Sequence, residues 1–284
     1  MGKSLDPAIA LFAKLPVPGG VKTRLQPSVG KAGAARLAAS MLVDRLKLVD
    51  ELKDDAGHQK LLCGDRPEVD PFLPYLAQAL GKSNWRGRIK SGQGDLGARG
   101  WNYRSQGSGG LGQRIFRVIK DFRKGGCIVI GSDAIAQKSE SLNTALKILA
   151  EGQAVIQPAD DEGFTLLGLP AGNPANGWDF LETSLCGGRP DGRHSPGIAW
   201  TEVSSALLNS GLSPRILDQE LDIDEWSDVE SVLERAAEFP ERRSFMSQFL
   251  QELSFIPKDV WRVSDDLPIL TAGEAAPTVP AEKE

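Results

Sequence analysis

The chain has 284 residues, 40% of them hydrophobic and 25% charged, with a formal net charge of -5. That length holds one large α/β domain or two small ones, and the acidic balance argues against a nucleic-acid binder, which carries a basic face. Three widely spaced cysteines and two histidines, His58 and His194, exclude a disulfide framework and a histidine metal cluster, so any metal falls to carboxylates and to hard ions such as Mg²⁺ or Mn²⁺.

The first run, MGKSLDPAIALF, is too short and too broken for a secretory signal, and Asp6 stands where a myristoylation signal needs Ser or Thr. No apolar run approaches the ~20 residues of a membrane span, and the chain reads as cytoplasmic. AIALFA (8–13) is short, continuous and apolar, which predicts a strand covered on both faces. The loop FAKLPVPGGVKTRL (12–25) follows, stiffened by Pro16 and Pro18 and hinged at Gly19-Gly20. Residues 31–53 predict a helix with one apolar stripe through Ala38, Met41, Leu42, Leu46, Val49 and Leu52. QKLLCG (59–64) predicts a second strand, and FLPYLAQAL (72–80) a short helix.

Residues 81–114 are rich in Gly, Arg and Ser, with Trp85, Trp101 and Tyr103 interleaved, and read as one long loop. An arginine and aromatic loop can clamp single-stranded nucleic acid, but one such loop in an acidic chain fits an acceptor-binding lid better. The loop contains the near-repeat GDLGAR (94–99) and GGLGQR (109–114). IFRVIKDF predicts a helix, CIVIG (127–131) a strand ending in Ser132-Asp133, and residues 139–151 a helix. AVIQPA and FTLLGL are two strands around the acidic turn Asp160-Asp161-Glu162-Gly163. Residues 170–199 are Gly/Pro-rich and poorly patterned. TEVSSALLNSG, DIDEWSDVESVLERAAEF and SFMSQFLQELSF read as helices, with Asp222 and Asp224 expected to cap the second. The expected division is a domain over 1–240, a helical extension over 241–270 and a disordered tail over 271–284. Strands alternating with helices predict an α/β domain with a mixed, mostly parallel sheet.

Ligands of open α/β sheets bind beyond the carboxyl ends of the strands. Lys22 and Arg24 follow such an end and can face a diphosphate, with Arg24 able to make a forked contact. As residues alone they read equally as ordinary cations on a solvated loop. Asp133, at the end of an apolar strand, can hold a divalent ion or cap the next helix. Asp160, Asp161 and Glu162 form a tight carboxylate turn, which is also the composition of an exposed hairpin.

Taken together, FAKLPVPGGVKTRL, QGSGGLGQRI, VIGSDAIAQ, PADDEGFTLLGL, GIAWTEV and DIDEWSDVESVL resemble, in order and over roughly residues 8–238, the radical-SAM/selenodomain-associated transferases. These are GT-A-like glycosyltransferases, distant relatives of the molybdenum-cofactor and phospholactate guanylyltransferases. The resemblance implies a nucleotide-diphospho-sugar transferase fold and a loop that wraps the nucleotide through Phe12, Lys14, Pro18, Gly19, Lys22 and Arg24, the last two on its phosphates. It implies that Asp133 is a catalytic metal ligand, and that Asp161 is catalytic, near the acceptor or metal, as an orienting group or general base. Trp200 and Thr201 match a motif that lines the pocket. The chain departs from the pattern at Ala134-Ile135-Ala136 and at Glu162, where the family has glycine; the family's GDLGER-like motif matches either GDLGAR, which keeps Asp95, or GGLGQR, which is better spaced from the CIVIG strand and would put Gly110 in place of the aspartate.

The implied activity is Mg²⁺- or Mn²⁺-dependent glycosyl transfer from a nucleotide sugar to a small acceptor. The alternatives are nucleotidyl transfer from an NTP to a phosphorylated acceptor, or a degenerate protein of the same fold that binds without turnover.

Overall fold

The computed structural model of the chain describes residues 6–52, 57–80, 88–90, 93–96, 100–179, 182 and 199–235. The expected helix SFMSQFLQELSF, the extension over 241–270 and the tail over 271–284 lie outside these residues.

One nine-stranded sheet organises the chain. Its strands are β1 (Ala8–Ala13), β2 (Gln59–Gly64), β3 (Arg88–Lys90), β4 (Gln93–Asp95), β5 (Trp101–Ser105), β6 (Cys127–Gly131), β7 (Ala154–Pro158), β8 (Phe164–Leu169) and β9 (Pro214–Ile216). Their spatial order is β3-β4-β5-β2-β1-β6-β8-β7-β9. The sheet is mixed and mostly parallel: β1 pairs in parallel with both β2 and β6, β2 with β5, and β7 with β9, while β3-β4-β5 and β6-β8-β7 run antiparallel.

The helices are α1 (Gln26–Asp50), α2 (Leu73–Leu80), α3 (Leu111–Asp121), α4 (Ser139–Ala150), α5 (Trp200–Asn209) and α6 (Trp226–Arg235). They flank both faces, because each central strand is apolar on both sides. In β1, Ile9, Leu11 and Ala13 face α1, α2 and α4, where they join one cluster with Leu42, Leu46, Leu76 and Leu149. Ala8, Ala10 and Phe12 face α3 and α5, where they meet Ile115, Phe116, Val203 and Leu207. The period of two in a strand makes this division. A third apolar cluster joins Val21, Leu25 and the first half of α1 to Ile223 and Val229. Inside α1, Gly30 takes φ 73°, a break just before the residues whose stripe predicts a helix.

The sequence reading of residues 81–114 as a loop is corrected here. Among the described residues this stretch supplies β3, β4, β5 and the first turn of α3. Trp101 and Tyr103 are the buried aromatic positions of β5, with 0% and 1% of their surface exposed, so the aromatic spacing of two marks a core strand and not a base-stacking clamp. Trp85 lies outside the described residues. The three-residue strand β9 has no counterpart in the sequence reading. No helix among the described residues is long and apolar enough to cross a membrane.

Candidate functional site

The strand order reverses at β1, which sends β2 to one side and β6 to the other. Such a switch point opens a crevice at the carboxyl ends of the strands. The segments after β1, β5, β6, β7 and β9, and the start of the antiparallel β8, all emerge at this edge. They enclose a cleft of about 510 Å³ lined by Phe12, Lys14, Lys22, Arg24, Asp133 and Asp161, and also by Gln106, Arg114, Asp222 and Asp224. That volume suits a small-molecule site.

The loop after β1 is tied down before it reaches the cleft. Asp65 Oδ1 accepts from the Leu15 amide at 2.8 Å, and the Tyr75 hydroxyl donates to the Pro16 carbonyl at 3.3 Å. Val21 and Leu25 are buried in the third apolar cluster. Between them Lys22 adopts φ 46°, a left-handed conformation uncommon for a non-glycine residue and often found at functional positions.

From this position the Lys22 side chain reaches the cleft lining. Nζ donates to Asp133 Oδ2 at 3.1 Å, to Asp224 Oδ1 at 2.8 Å and to the Ile223 carbonyl. Burial alone would lower the Lys22 pKa, but the two carboxylates overcome it and push it up to about 12. Burial likewise opposes the charge on Asp133, yet Lys22 holds that carboxyl below its ordinary value. Gly131 is a sequence requirement of this arrangement, since a Cβ there would collide with the Asp133 side chain.

The segment after β9 supplies the residues that sequence reasoning did not place in the site. Ile223 is fully buried in the third apolar cluster, while Asp222 and Asp224 on either side of it line the cleft. They do not cap α6; Asp228 does, its Oδ2 accepting from the amides of Asp224 and Glu225 at 2.8 and 2.6 Å. The signal was present as two aspartates flanking one isoleucine, an apolar anchor between two polar neighbours. Asp161, Asp222 and Asp224 bring ligand oxygens within 4.8 Å of one another. Burial, a hydrogen bond shared with Asp160, and the charges of Asp133, Asp161 and Asp224 push the Asp222 carboxyl up to about 8. Excess negative charge of this kind, offered by oxygen donors alone, fits a hard divalent cation. Asp133 adjoins the cluster through Lys22.

Asp161 is fixed by its own turn, with Oδ1 accepting from the Gly163 amide at 2.8 Å. Glu162 takes φ 70° at the position where the resembled family has glycine. Arg24 is 61% exposed and lies 3.9 Å from Asp224 and 3.5 Å from Glu225. Phe12 and Lys14 line the cleft, whereas Pro18 and Gly19 lie outside its lining. Trp200 and Thr201 also lie outside it: Trp200 packs on the α3 and α5 side, its amide donating to the Glu162 carbonyl at 2.9 Å, and Thr201 is exposed.

GGLGQR is the copy of the near-repeat that begins a helix. Gly110 precedes α3, and its amide donates to Gln113 Oε1 at 3.0 Å.

Residues 65–184 match the family described as "Uncharacterized protein conserved in bacteria (DUF2064)". No curated protein matches the chain. Among solved structures, one from Desulfovibrio desulfuricans G20 described as a "putative nucleotide-diphospho-sugar transferase" is 24% identical, with a TM-score of 0.66 over 88% of this chain and 96% of that one. A cytidylyltransferase from Leptospira borgpetersenii serovar Hardjo-bovis is 11% identical, with a TM-score of 0.49 over 88% of this chain and 94% of that one. The fold is GT-A-like, a mixed and mostly parallel sheet flanked by helices, as the sequence resemblance implies.

Proposed function

We propose that this chain is a divalent-metal-dependent transferase that takes a nucleotide-diphosphate sugar as donor and passes its sugar to a small acceptor. The observation that carries this reading is the convergence of Asp161, Asp222 and Asp224 at the switch point of a GT-A-like sheet. These carboxylates would hold Mg²⁺ or Mn²⁺, which supplies charge neutralisation for a departing nucleoside diphosphate.

The chain's own side chains do the rest. Lys22, charged at any working pH, binds Asp133 and Asp224 together and so fixes the acidic wall. Arg24 sits at the exposed mouth in long ion pairs of little strength, and can turn to a phosphate. Asp161, exposed and held by its turn, is the group able to orient an acceptor hydroxyl or take its proton. Phe12 and Lys14 line the nucleotide side of the cleft. The protein's partners are then a nucleotide sugar and a small acceptor.

The test is a thermal-shift screen of nucleoside diphosphates, triphosphates and nucleotide sugars, with Mn²⁺ or EDTA, on the wild type, Asp133→Ala and Asp224→Asn. At ligand near 100 times Kd, binding adds about 2.7 kcal/mol of stability. A Mn²⁺-dependent shift with a nucleotide sugar, lost in Asp224→Asn, is the expected result. No shift with any nucleotide overturns the reading, and release of pyrophosphate rather than a nucleoside diphosphate replaces it with nucleotidyl transfer.

A further inference from the structure

We propose that Arg114, locked by Gln106 and joined by Lys14, forms an anion subsite in the cleft that receives a phosphoryl group. The proposal rests on the transferase reading for its place in a reaction, but on separate residues for its chemistry.

The subsite is built from the core outward. Gln106 is 3% exposed and joins three elements. Its Nε2 donates to the Ala13 carbonyl at 3.1 Å and to the Cys63 carbonyl at 2.8 Å, at the ends of β1 and β2. Its Oε1 accepts from Arg114 Nη1 at 2.7 Å, on the first turn of α3. The backbone around it is also fixed: the Gln106 amide donates to the Gly64 carbonyl, and Arg117 donates to the carbonyls of Gln106 and Ser108 at 2.6 and 3.0 Å. A buried amide with its hydrogen bonds satisfied on both sides is a rigid mount.

What it mounts is a guanidinium with capacity left over. Arg114 lines the cleft, yet among the described residues no carboxylate pairs with it, and its buried Nε has no hydrogen-bond partner. A buried polar nitrogen without a partner calls for an acceptor. Lys14 follows Ala13, whose carbonyl Gln106 holds, and is exposed at the cleft, also without a carboxylate among the described residues. The other cations of the lining differ, because Lys22 and Arg24 both face carboxylates.

The cleft therefore has an acidic wall and, separately, an unneutralised cationic one. Arg114 on the first turn of an 11-residue helix, with Lys14 as a second cation of the same lining, suits a dianion better than a single carboxylate. The phosphoryl group has two sources, the donor diphosphate or a phosphate on the acceptor.

The test is calorimetric titration of the full chain at low salt, on the wild type, Arg114→Ala, Arg114→Lys and Lys14→Ala, each checked for folding by circular dichroism. The first probe is inorganic pyrophosphate in EDTA. Arg114→Ala is expected to bind it about ten- to a hundredfold more weakly, the size of one or two charge-assisted hydrogen bonds. Arg114→Lys is expected in between, because an ammonium lacks the fork that meets Gln106 and phosphate together. Lys14, being exposed, can be removed without harm to the fold and keeps the test decisive if Arg114→Ala does not fold.

Nucleoside diphosphates and inorganic phosphate then separate the sources. An equal loss for the nucleoside diphosphate assigns the subsite to the donor. Loss of inorganic phosphate binding alone, measured beside saturating nucleoside diphosphate, assigns it to the acceptor. Wild-type affinity for pyrophosphate in both Arg114→Ala and Lys14→Ala, or no phosphate binding by the wild type, overturns the subsite. Each of those results can stand beside a Mn²⁺-dependent nucleotide shift, so the failure of the subsite and the failure of the transferase reading are distinguishable.

Discussion

Lys22 and Asp224 are 202 residues apart in sequence and 2.8 Å apart in the fold. Their contact closes the chain around the cleft, joining the loop after β1 to the segment after β9. Removing the lysine leaves Asp133 and Asp224 facing each other with no cation between them. We expect Lys22→Met to destabilise the protein by about 2 kcal/mol, below the usual range for breaking a buried pair because both carboxylates keep over a third of their side-chain surface in water. Urea unfolding in EDTA measures this. Mn²⁺ is expected to restore more stability to the variant than it adds to the wild type, since it supplies the missing positive charge; an equal gain in both proteins would separate Lys22 from the metal cluster.

The pH dependence of stability follows from Asp222. Its carboxyl titrates near 8 in the folded chain, against an ordinary value of 3.8. Between those values the folded state holds a proton that the unfolded state has released. Stability in EDTA should therefore fall as pH rises from about 4 towards 8, the reverse of the usual carboxylate behaviour. Asp133, whose value is lowered, acts in the opposite sense, and its contribution is lost only as the pH drops below the ordinary carboxylate range. Thermal unfolding from pH 5 to 8.5 should show a clear slope in the wild type and a flatter one in Asp222→Asn. A wild-type profile rising with pH would rule out this charge crowding.

Tyr103 distinguishes a core strand from a lid. Its ring lies over Gly64, where a Cβ would come within 2.8 Å of ring atom Cε2, and it stacks at a tilt on Phe72 with centroids 6.0 Å apart. Its hydroxyl donates to the carbonyls of Arg66 and Glu68. Tyr103→Ala should cost about 3–5 kcal/mol, the range for emptying a buried aromatic site. A lid residue would cost little, so a change below about 1 kcal/mol in chemical denaturation would restore the loop interpretation.

The same residue marks where the sequence stops being legible. AIALFA, QKLLCG, CIVIG and FTLLGL are each the strand the sequence predicts, because burial on both faces leaves a continuous apolar run that needs no partner to be recognised. β5 has two large apolar side chains separated by one residue and surrounded by Gly, Arg and Ser, so its alternation is too short to stand out. The site divides the same way. Phe12 lies in a strand visible in the sequence, Lys14, Lys22, Arg24, Asp133 and Asp161 follow such strands, and the cleft gathers them. Asp222 and Asp224 precede a helix, and a local cap explains such residues sufficiently until Lys22 is seen beside them. Gln106 and Arg114 depend on carbonyls of β1 and β2 that no local pattern points to.

Glu162 offers a test of strain at the acidic turn. It holds φ 70°, where a side chain costs about 1 kcal/mol or more and glycine costs little. Glycine also loosens the unfolded chain, which offsets roughly half of the gain. Glu162→Gly is therefore expected to raise stability by about 0.5 kcal/mol, and Glu162→Val, branched at Cβ, to lower it by about 1 kcal/mol. The Asp161 to Gly163 hydrogen bond spans this residue at 2.8 Å, so the glycine variant should keep Asp161 in place while releasing the strain beside it. If Glu162→Gly were instead destabilising by more than about 1 kcal/mol, the glutamate would be holding the turn through its side chain rather than straining it.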